Sequence, residues 1–215
     1  MEEHPSYRNT MTKERLAIIG AGDFAREIIP IAEDMGIGIA GFFCPDSSIS
    51  DSIVFNESEV NYSDYKEYYD SLFIGLGVGT GRDIKKRQKI ISFFEDRSVE
   101  FATLIANSVK LYDKKLIGEG TFLAHNVVVS IGAEIGKHNI INTSTVIGHD
   151  VKTGSNTCIS PLSFIGGNVE IGDNVLIGGG CSIMQGVKIG SNSVIGIGNS
   201  IFSDVPSSTL IMPKI

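Results

Sequence analysis

The 215-residue chain has few cysteines, no long apolar run and no block of like charge. Its three cysteines, Cys44, Cys158 and Cys181, are odd in number and lack metal-ligand spacing, which argues against a disulfide framework and suits a reducing cytoplasm. The opening MEEHPSYRNTMTKER lacks the apolar core of a secretory signal, and no stretch reaches the ~18 apolar residues of a membrane span. A net charge of -7 without a basic stripe argues against a nucleic-acid surface, so an anionic ligand has to be held by local donors. With 42% hydrophobic and 20% charged residues, the chain suffices for one large domain or two modest ones.

What is present is a repeat. From Ile105 to Ile201 an aliphatic residue recurs every six positions without slipping phase; sixteen of the seventeen positions are Ile, Leu or Val, the exception being Thr153. Nine of the residues that follow them are Gly, and two residues before them the side chain is small or Val, as in Thr121, Val127, Ala133 and Thr145, with Lys115 breaking the rule. A period of six is neither helical nor simple alternation. It fits a triangular coil: each hexapeptide makes one short strand, the aliphatic residue points to the axis, and the small one sits at a crowded corner. Three hexapeptides close one coil, and coils stack at strand spacing into a parallel β-helix.

Ahead of the repeat, residues 1–13 are polar and patternless and read as a flexible tail. Residues 14–98 read as an α/β unit, a Rossmann-like half domain, and 99–215 as the all-β helix. Leu16 to Ile19, then Gly20-Ala21-Gly22, then Ile28, Ile29, Ala32 and Met35 at helical spacing give strand, glycine turn, helix. Gly20 and Gly22 bring backbone close to a ligand, and the helix N-terminus offers free N–H groups to a phosphate; a plain tight turn is the competing explanation. Asp46, after the second strand at Ile39 to Phe43, is placed to accept from a ribose or base, or to make a Pro-Asp turn. Leu72 to Ile74 leads to a second glycine loop, Gly75 to Gly81 with Gly77 near its middle. The helix from Arg82 to Arg97 is read with Ile84, Ile90, Ile91 and Phe94 inward and Lys85, Lys86, Arg87 and Lys89 outward. The unit is too short for a full dinucleotide fold, which disfavours an NAD-dependent enzyme.

On a β-helix, polar coil residues face solvent or another subunit, and His149 with its neighbour Asp150 stands out. The order of a short Gly-rich α/β unit, hexapeptide coils, I-N-T-S-T-V-I-G-H-D at 141–150 and I-S-P at 159–161 resembles a family of sugar acyltransferases. That family includes bacillosamine-pathway N-acetyltransferases and sialic acid O-acetyltransferases. The resemblance spans residues 15 to about 213. It implies a left-handed β-helix, a homotrimer, acetyl-CoA bound as co-substrate between adjacent β-helices, and a sugar acceptor on the N-terminal unit. It also implies His149 as general base, oriented by Asp150, in direct acyl transfer; imidazole suits the role because its charge changes near neutral pH.

Gly167 follows His149 by three hexapeptides, so it lies one coil on and at the same corner, where its N–H is placed to hold a thioester oxyanion. Gly178 and Gly179 with Gly167 are expected along the acetyl-CoA; Gly20, Gly22, Asp46, Gly77 and Cys158 on the acceptor side. Cys158 stands where members of the family often have a second histidine, and the tail Ser207 to Lys214 only loosely matches their G-x-P-A-K ending. The expectation is a cytoplasmic N-acetyltransferase acting on a nucleotide-linked amino sugar, with no resident metal or nucleic-acid partner. O-acetylation of a sialic-acid-like sugar is the alternative. Two remoter readings are a zinc hydratase with His125 and His149 from two subunits around one metal, and a non-catalytic trimeric scaffold. His125 and His138 are otherwise expected to be exposed on coil faces.

Overall fold

The computed structural model describes residues 14–43, 54–55, 67, 69–95 and 99–213. Parallel strands β1 (Arg15–Ile19), β2 (Gly38–Phe43), β3 (Val54–Phe55) and β4 (Ser71–Ile74) form one sheet in the order β3-β2-β1-β4. Helix α1 (Asp23–Asp34) follows β1 and α2 (Gly81–Glu95) follows β4. Leu16 to Ile19 and all of β4 are buried, as expected of parallel strands covered on both faces. Helix α1 buries Ala25, Ile28, Ile31 and Ala32. Helix α2 buries Ile84, Arg87, Ile91 and Phe94, a stripe at three- and four-residue spacing, so Arg87 points inward and not to solvent; Ile90 is only half-buried.

From Leu104 to Ile201 each hexapeptide but that of Ile117, which makes a 3-10 turn and a single bridge to Ile135, supplies a two-residue strand, and these stack with a last strand at Leu210–Ile211 into three parallel sheets of seven, six and four strands. The register advances by three hexapeptides from coil to coil: Ile141 pairs with Ile159, Ile147 with Ile165 and Thr153 with Ile171. The aliphatic series fills the axis from Leu123 to Ile201 as one core. The small corner residues are selected for more than size. Thr121, Thr157 and Ser163 donate hydroxyl hydrogen bonds to the carbonyls of Gly136, Gly172 and Gly178 at 2.9, 3.0 and 3.1 Å. Glycine follows the aliphatic residue because coils touch there: a Cβ on Gly178 would stand 2.6 Å from the amide nitrogen of Ile197.

Two of the exceptions to the pattern, Thr153 and Asn139, answer each other. Thr153, alone polar in the ladder, receives the side-chain amide of buried Asn139 at 2.7 Å, and Asn139 also donates to the Gly154 carbonyl at 2.9 Å. A second periodicity, three residues past each ladder position from Ile117 to Ile195, is conformational. Asn126, His138, Ser144, Asp150, Asn156, Leu162, Asn168, Asn174 and Asn192 all have φ between 53° and 62°. Gly120, Gly132, Gly180, Gly186 and Gly198 occupy the other corners of the series with positive φ. Asn, Asp and Gly tolerate this left-handed region best, which is why they dominate the corner.

The three faces of the prism differ chemically. The seven-stranded sheet turns Leu104, Phe122, Ile140, Cys158 and Leu176 into an apolar seam beneath α1 and α2. The four-stranded sheet carries Glu134, Lys152, Glu170 and Lys188 outward, with Glu134–Lys152 and Glu170–Lys188 ion pairs at 3.0 Å. The six-stranded sheet presents Val128, Val146 and Phe164 at its middle, and Ile131, Leu162 and Ile197 stand exposed at its edges. The last coil is short: Ile189 pairs with Val205 and Ile195 with Ile211, so the six-residue phase ends at Ile201. Among the described residues no helix is long and apolar enough to cross a membrane.

Candidate active site

His149 occupies the corner between the six-stranded face, the apolar face of the prism, and the charged four-stranded face, two residues past Ile147. The coil leaves this position free. Gly148 N–H donates to the Ile165 carbonyl at 2.8 Å and Asp150 N–H to the Ile131 carbonyl at 3.0 Å, whereas the N–H of the residue between them takes no part in coil stacking. Its side chain is projected outward, with the imidazole and the Asp150 carboxylate each about half exposed. Nδ1 of His149 lies 2.9 Å from Oδ2 of Asp150. The carboxylate only accepts, so Nδ1 carries the proton and the Nε2 lone pair is left for another partner. Asp150 sits there with φ 56°, so the left-handed corner selects its residue type as well as its carboxylate.

Gly167, one coil on, lies flat against that ring. A Cβ on Gly167 would overlap Nε2 of His149 and stand 2.6 Å from Cε1, so no larger residue fits beneath the imidazole as it stands. Its neighbours Gly166 and Asn168 donate to Ile183 and His149 carbonyls at 2.9 and 2.8 Å, while the Gly167 N–H makes no hydrogen bond with the described residues. The corner thus sets an unshared nitrogen lone pair beside an unspent backbone donor. A base and an oxyanion donor side by side are the elements of acyl transfer.

The other expected residues are distributed around this corner. Gly178 and Gly179 are on the opposite edge of the apolar face from His149, so one chain does not bring them together; Gly179 stacks on Pro161, and the tight approach of Ile197 already accounts for Gly178. Cys158 is not at an open surface. It is 4% exposed in the seam with Phe122, Ile140 and Ile84, and burial pushes its thiol up to about 12, which removes it from acceptor contact and from nucleophilic chemistry. His138 is likewise buried, at 2% exposure, and not on an open coil face. His125 is exposed with Nδ1 3.1 Å from Oγ of Ser108, on a different corner from His149. No three His, Cys, Asp or Glu side chains gather as metal ligands among the described residues.

At the C-terminal ends of β1 and β4 the two glycine loops meet. A Cβ on Gly20, whose φ is 99°, would stand 2.7 Å from the Leu76 side chain, and one on Gly77 would touch Phe24 at 3.3 Å. The two helix starts differ. At α1 the N-cap residue Gly22 supplies no side-chain bond, and the N–H groups of Asp23, Phe24 and Ala25 make no hydrogen bond with the described residues. At α2 the Asp83 carboxylate takes the amides of Gly79 and Thr80, the two residues ahead of the helix, at 3.1 and 2.8 Å, which sets a negative charge at that end. Partial burial works to raise the pKa of Asp83, but the bonds from Thr80 and Gly79 prevail and hold it below the usual carboxylate range. Arg82 and Lys85 line a cavity of about 350 Å³ with Asn174, Asn192 and Thr209, and a groove of about 590 Å³ runs along the charged face. Neither reaches His149. Asp46 lies outside the described residues.

Sequence reading missed Arg87, although the signal was there: positions 84, 87, 91 and 94 repeat at three and four, and only the charge of residue 87 argued against burial. It also missed the Asn and Gly recurrence that marks the left-handed corner.

The bacterial transferase hexapeptide (six repeats) family matches residues 150–183 and 165–201, within the coils around and beyond the site. No curated protein matches the sequence. Among solved structures, a histidine-to-asparagine variant of perosamine N-acetyltransferase from Caulobacter crescentus, in complex with CoA and GDP-perosamine, is 24% identical with a TM-score of 0.82, covering 95% of each chain. The acetyltransferase domain of PglB from Neisseria gonorrhoeae is 23% identical with a TM-score of 0.80, over 94% of this chain and 97% of that one. WeeI from Acinetobacter baumannii is 20% identical with a TM-score of 0.70 over the same shares. At these identities the likeness establishes the fold, an α/β unit leading into a left-handed β-helix.

Proposed function

We propose that the chain is an acetyl-CoA-dependent N-acetyltransferase acting on a nucleotide-linked amino sugar. The observation that carries the reading is the His149–Asp150 pair set against the free N–H of Gly167. The acceptor amine attacks the thioester carbonyl; the oxyanion that forms is held by the Gly167 N–H, and Nε2 of His149 takes the proton the amine sheds. Collapse expels the CoA thiolate, which receives that proton from the imidazolium, so enzyme and charge return to their starting state. Asp150 keeps Nδ1 protonated throughout and steadies the imidazolium. The similar folds support the substrate classes, since the perosamine enzyme is seen in complex with CoA and GDP-perosamine and the PglB domain in complex with acetyl coenzyme A. The open N-terminus of α1, beside Gly20, Gly22 and Gly77, suits the diphosphate of such an acceptor.

The apolar face supports assembly into a trimer. In a cyclic threefold every contact joins two different surfaces, so turning this face to the axis sets the His149 edge of one copy against the Gly179 edge of the next. That arrangement gathers His149, Gly167, Gly178 and Gly179 in one groove for the pantetheine arm. Sedimentation at three times the chain mass of 23.1 kDa checks it.

The test of the activity is release of free CoA thiol from acetyl-CoA with UDP- and dTDP-linked 4-amino sugars, GDP-linked amino sugars, the free sugars and sialic acid. Turnover with a nucleotide-linked amine alone supports the reading, and His149→Ala then loses at least about a hundredfold in rate with fold and assembly intact. Turnover with sialic acid in its place moves the assignment to O-acetylation. Transfer unchanged in His149→Ala overturns the base.

A further inference from the structure

Among the described residues Arg87 is the largest fully buried side chain, 1% exposed at the seam between α2 and the β-helix. All its partners are neutral oxygens. Nε donates to Oδ1 of Asn156 at 3.2 Å, Nη2 to the His138 carbonyl at 3.0 Å, and Nη1 to the carbonyls of Ile74 and Leu76 at 2.8 and 3.3 Å. Asn156 is itself fixed, its amide donating to the Ile84 carbonyl at 3.1 Å and to Asn174 at 2.9 Å. A leucine at this place on α2 would fill the stripe without desolvating a charge. The charge therefore answers a need that packing does not state: four oxygens, two at the end of β4 and in the loop after it and two on the β-helix.

A trans peptide points its C=O and N–H in opposite directions, and the described chain has no cis bond. Turning the Ile74 carbonyl to Arg87 aims the Gly75 N–H away from it, and that N–H is found on the Ile19 carbonyl at 2.9 Å. Turning the Leu76 carbonyl to Arg87 likewise aims the Gly77 N–H away, but Gly77 is exposed and its N–H makes no hydrogen bond with the described residues. Gly77 packs against Phe24 in the first turn of α1, whose own N–H groups are open. Two independent elements thus present unspent donors to one space between β1 and β4, where open α/β sheets take their ligands.

We propose that Arg87 is a positioning residue for the acceptor: it orients the Leu76–Gly77 peptide so that the Gly77 N–H meets the acceptor's anionic diphosphate, and ties that loop to the β-helix that carries His149. The inference rests on the acceptor class proposed above. Lysine cannot reproduce the fork, because its ammonium is a point donor that cannot serve four oxygens spread over two domains.

The experiment is calorimetric binding of UDP, GDP and dTDP, and separately of CoA, to the wild-type chain and to Arg87→Lys, with thermal melts as the folding control. Arg87→Lys is expected to weaken the nucleoside diphosphate that the wild type binds by at least about tenfold, leaving CoA within about twofold. Asn156→Ser is the milder variant should Arg87→Lys fail to fold, since Ser144 and Ser208 hold the same left-handed corner, and about threefold weakening is expected. Unchanged nucleotide binding in a folded variant, or an equal loss for nucleotide and CoA, overturns the role of Arg87. A wild-type chain that binds none of the three overturns the acceptor reading itself, whatever the variants do.

Discussion

His149 and Gly167 meet because the coil repeats every three hexapeptides, and their contact is tight enough to test. Gly167→Ala keeps the backbone N–H but drives a methyl group into the imidazole, so the ring has to swing off Nδ1···Asp150 to make room. Loss of about a hundredfold in kcat is expected from displacement of the base by an ångström or so, with the circular dichroism spectrum unchanged. The same reading separates Asp150 from a merely permitted corner residue. Asn at 150 would satisfy the left-handed φ as well as Asp does, but only the carboxylate restricts Nδ1 to the protonated form.

The coils show where pattern and structure part company. The hexapeptide pattern favours a small or aliphatic residue at position 139 and an aliphatic one at 153, so each looks like a defect when taken alone. Together they make a closed network: Asn139 donates to Thr153, Gly136 and Gly154 and accepts from the Thr157 N–H. Asn139→Ala, although closer to the pattern, is expected to lower unfolding stability by about 2 kcal/mol because it orphans the buried Thr157 N–H. Adding Thr153→Val should cost less than the sum of the two single changes, since the hydroxyl has then already lost its side-chain donor and keeps only the Gly136 N–H at 3.1 Å. Urea denaturation of the three variants checks both statements.

Joining the α/β unit to the β-helix creates a seam that neither would have alone, and the burial of His138 in it is expected to lower stability in acid. His138 lies there with its ring 4.6 Å from that of Phe101, its Nε2 3.6 Å from Glu95 and its carbonyl on Arg87. Burial first, then the charges of Arg87 and Lys137, lower its pKa from 6.5 to about 4, with Glu119 opposing them. The folded state therefore holds the neutral ring while the unfolded chain binds a proton from 6.5 downward. His138's contribution is complete above about pH 6.5, falls as the pH drops towards 4 and levels off below, a loss of roughly 3 kcal/mol. His138→Asn suits the same positive φ and takes up no proton, so its melting temperature should fall less between pH 7 and pH 4 than that of the wild type. Parallel curves would remove His138 from the acid response.

Six-residue periodicity alone dictates the prism, the coil length and the stacking of Gly167 on His149, because a repeat without slippage leaves each side chain one place on the cross-section. It is joined in the first part by strand, glycine loop and helix, which are equally legible because their apolar spacing is local. Local spacing does not say which face of the prism the helices cover. That choice depends on matching the apolar seam of Phe122, Ile140 and Leu176 to α1 and α2, residues far apart in the chain. The match buries Cys158, His138 and Arg87, three residues whose chemistry in isolation suggests exposure or reactivity. Burial is a property of the partner surface, so only the tertiary structure turned an expected acceptor ligand into core and an expected solvent-facing cation into the link between the two halves of the molecule.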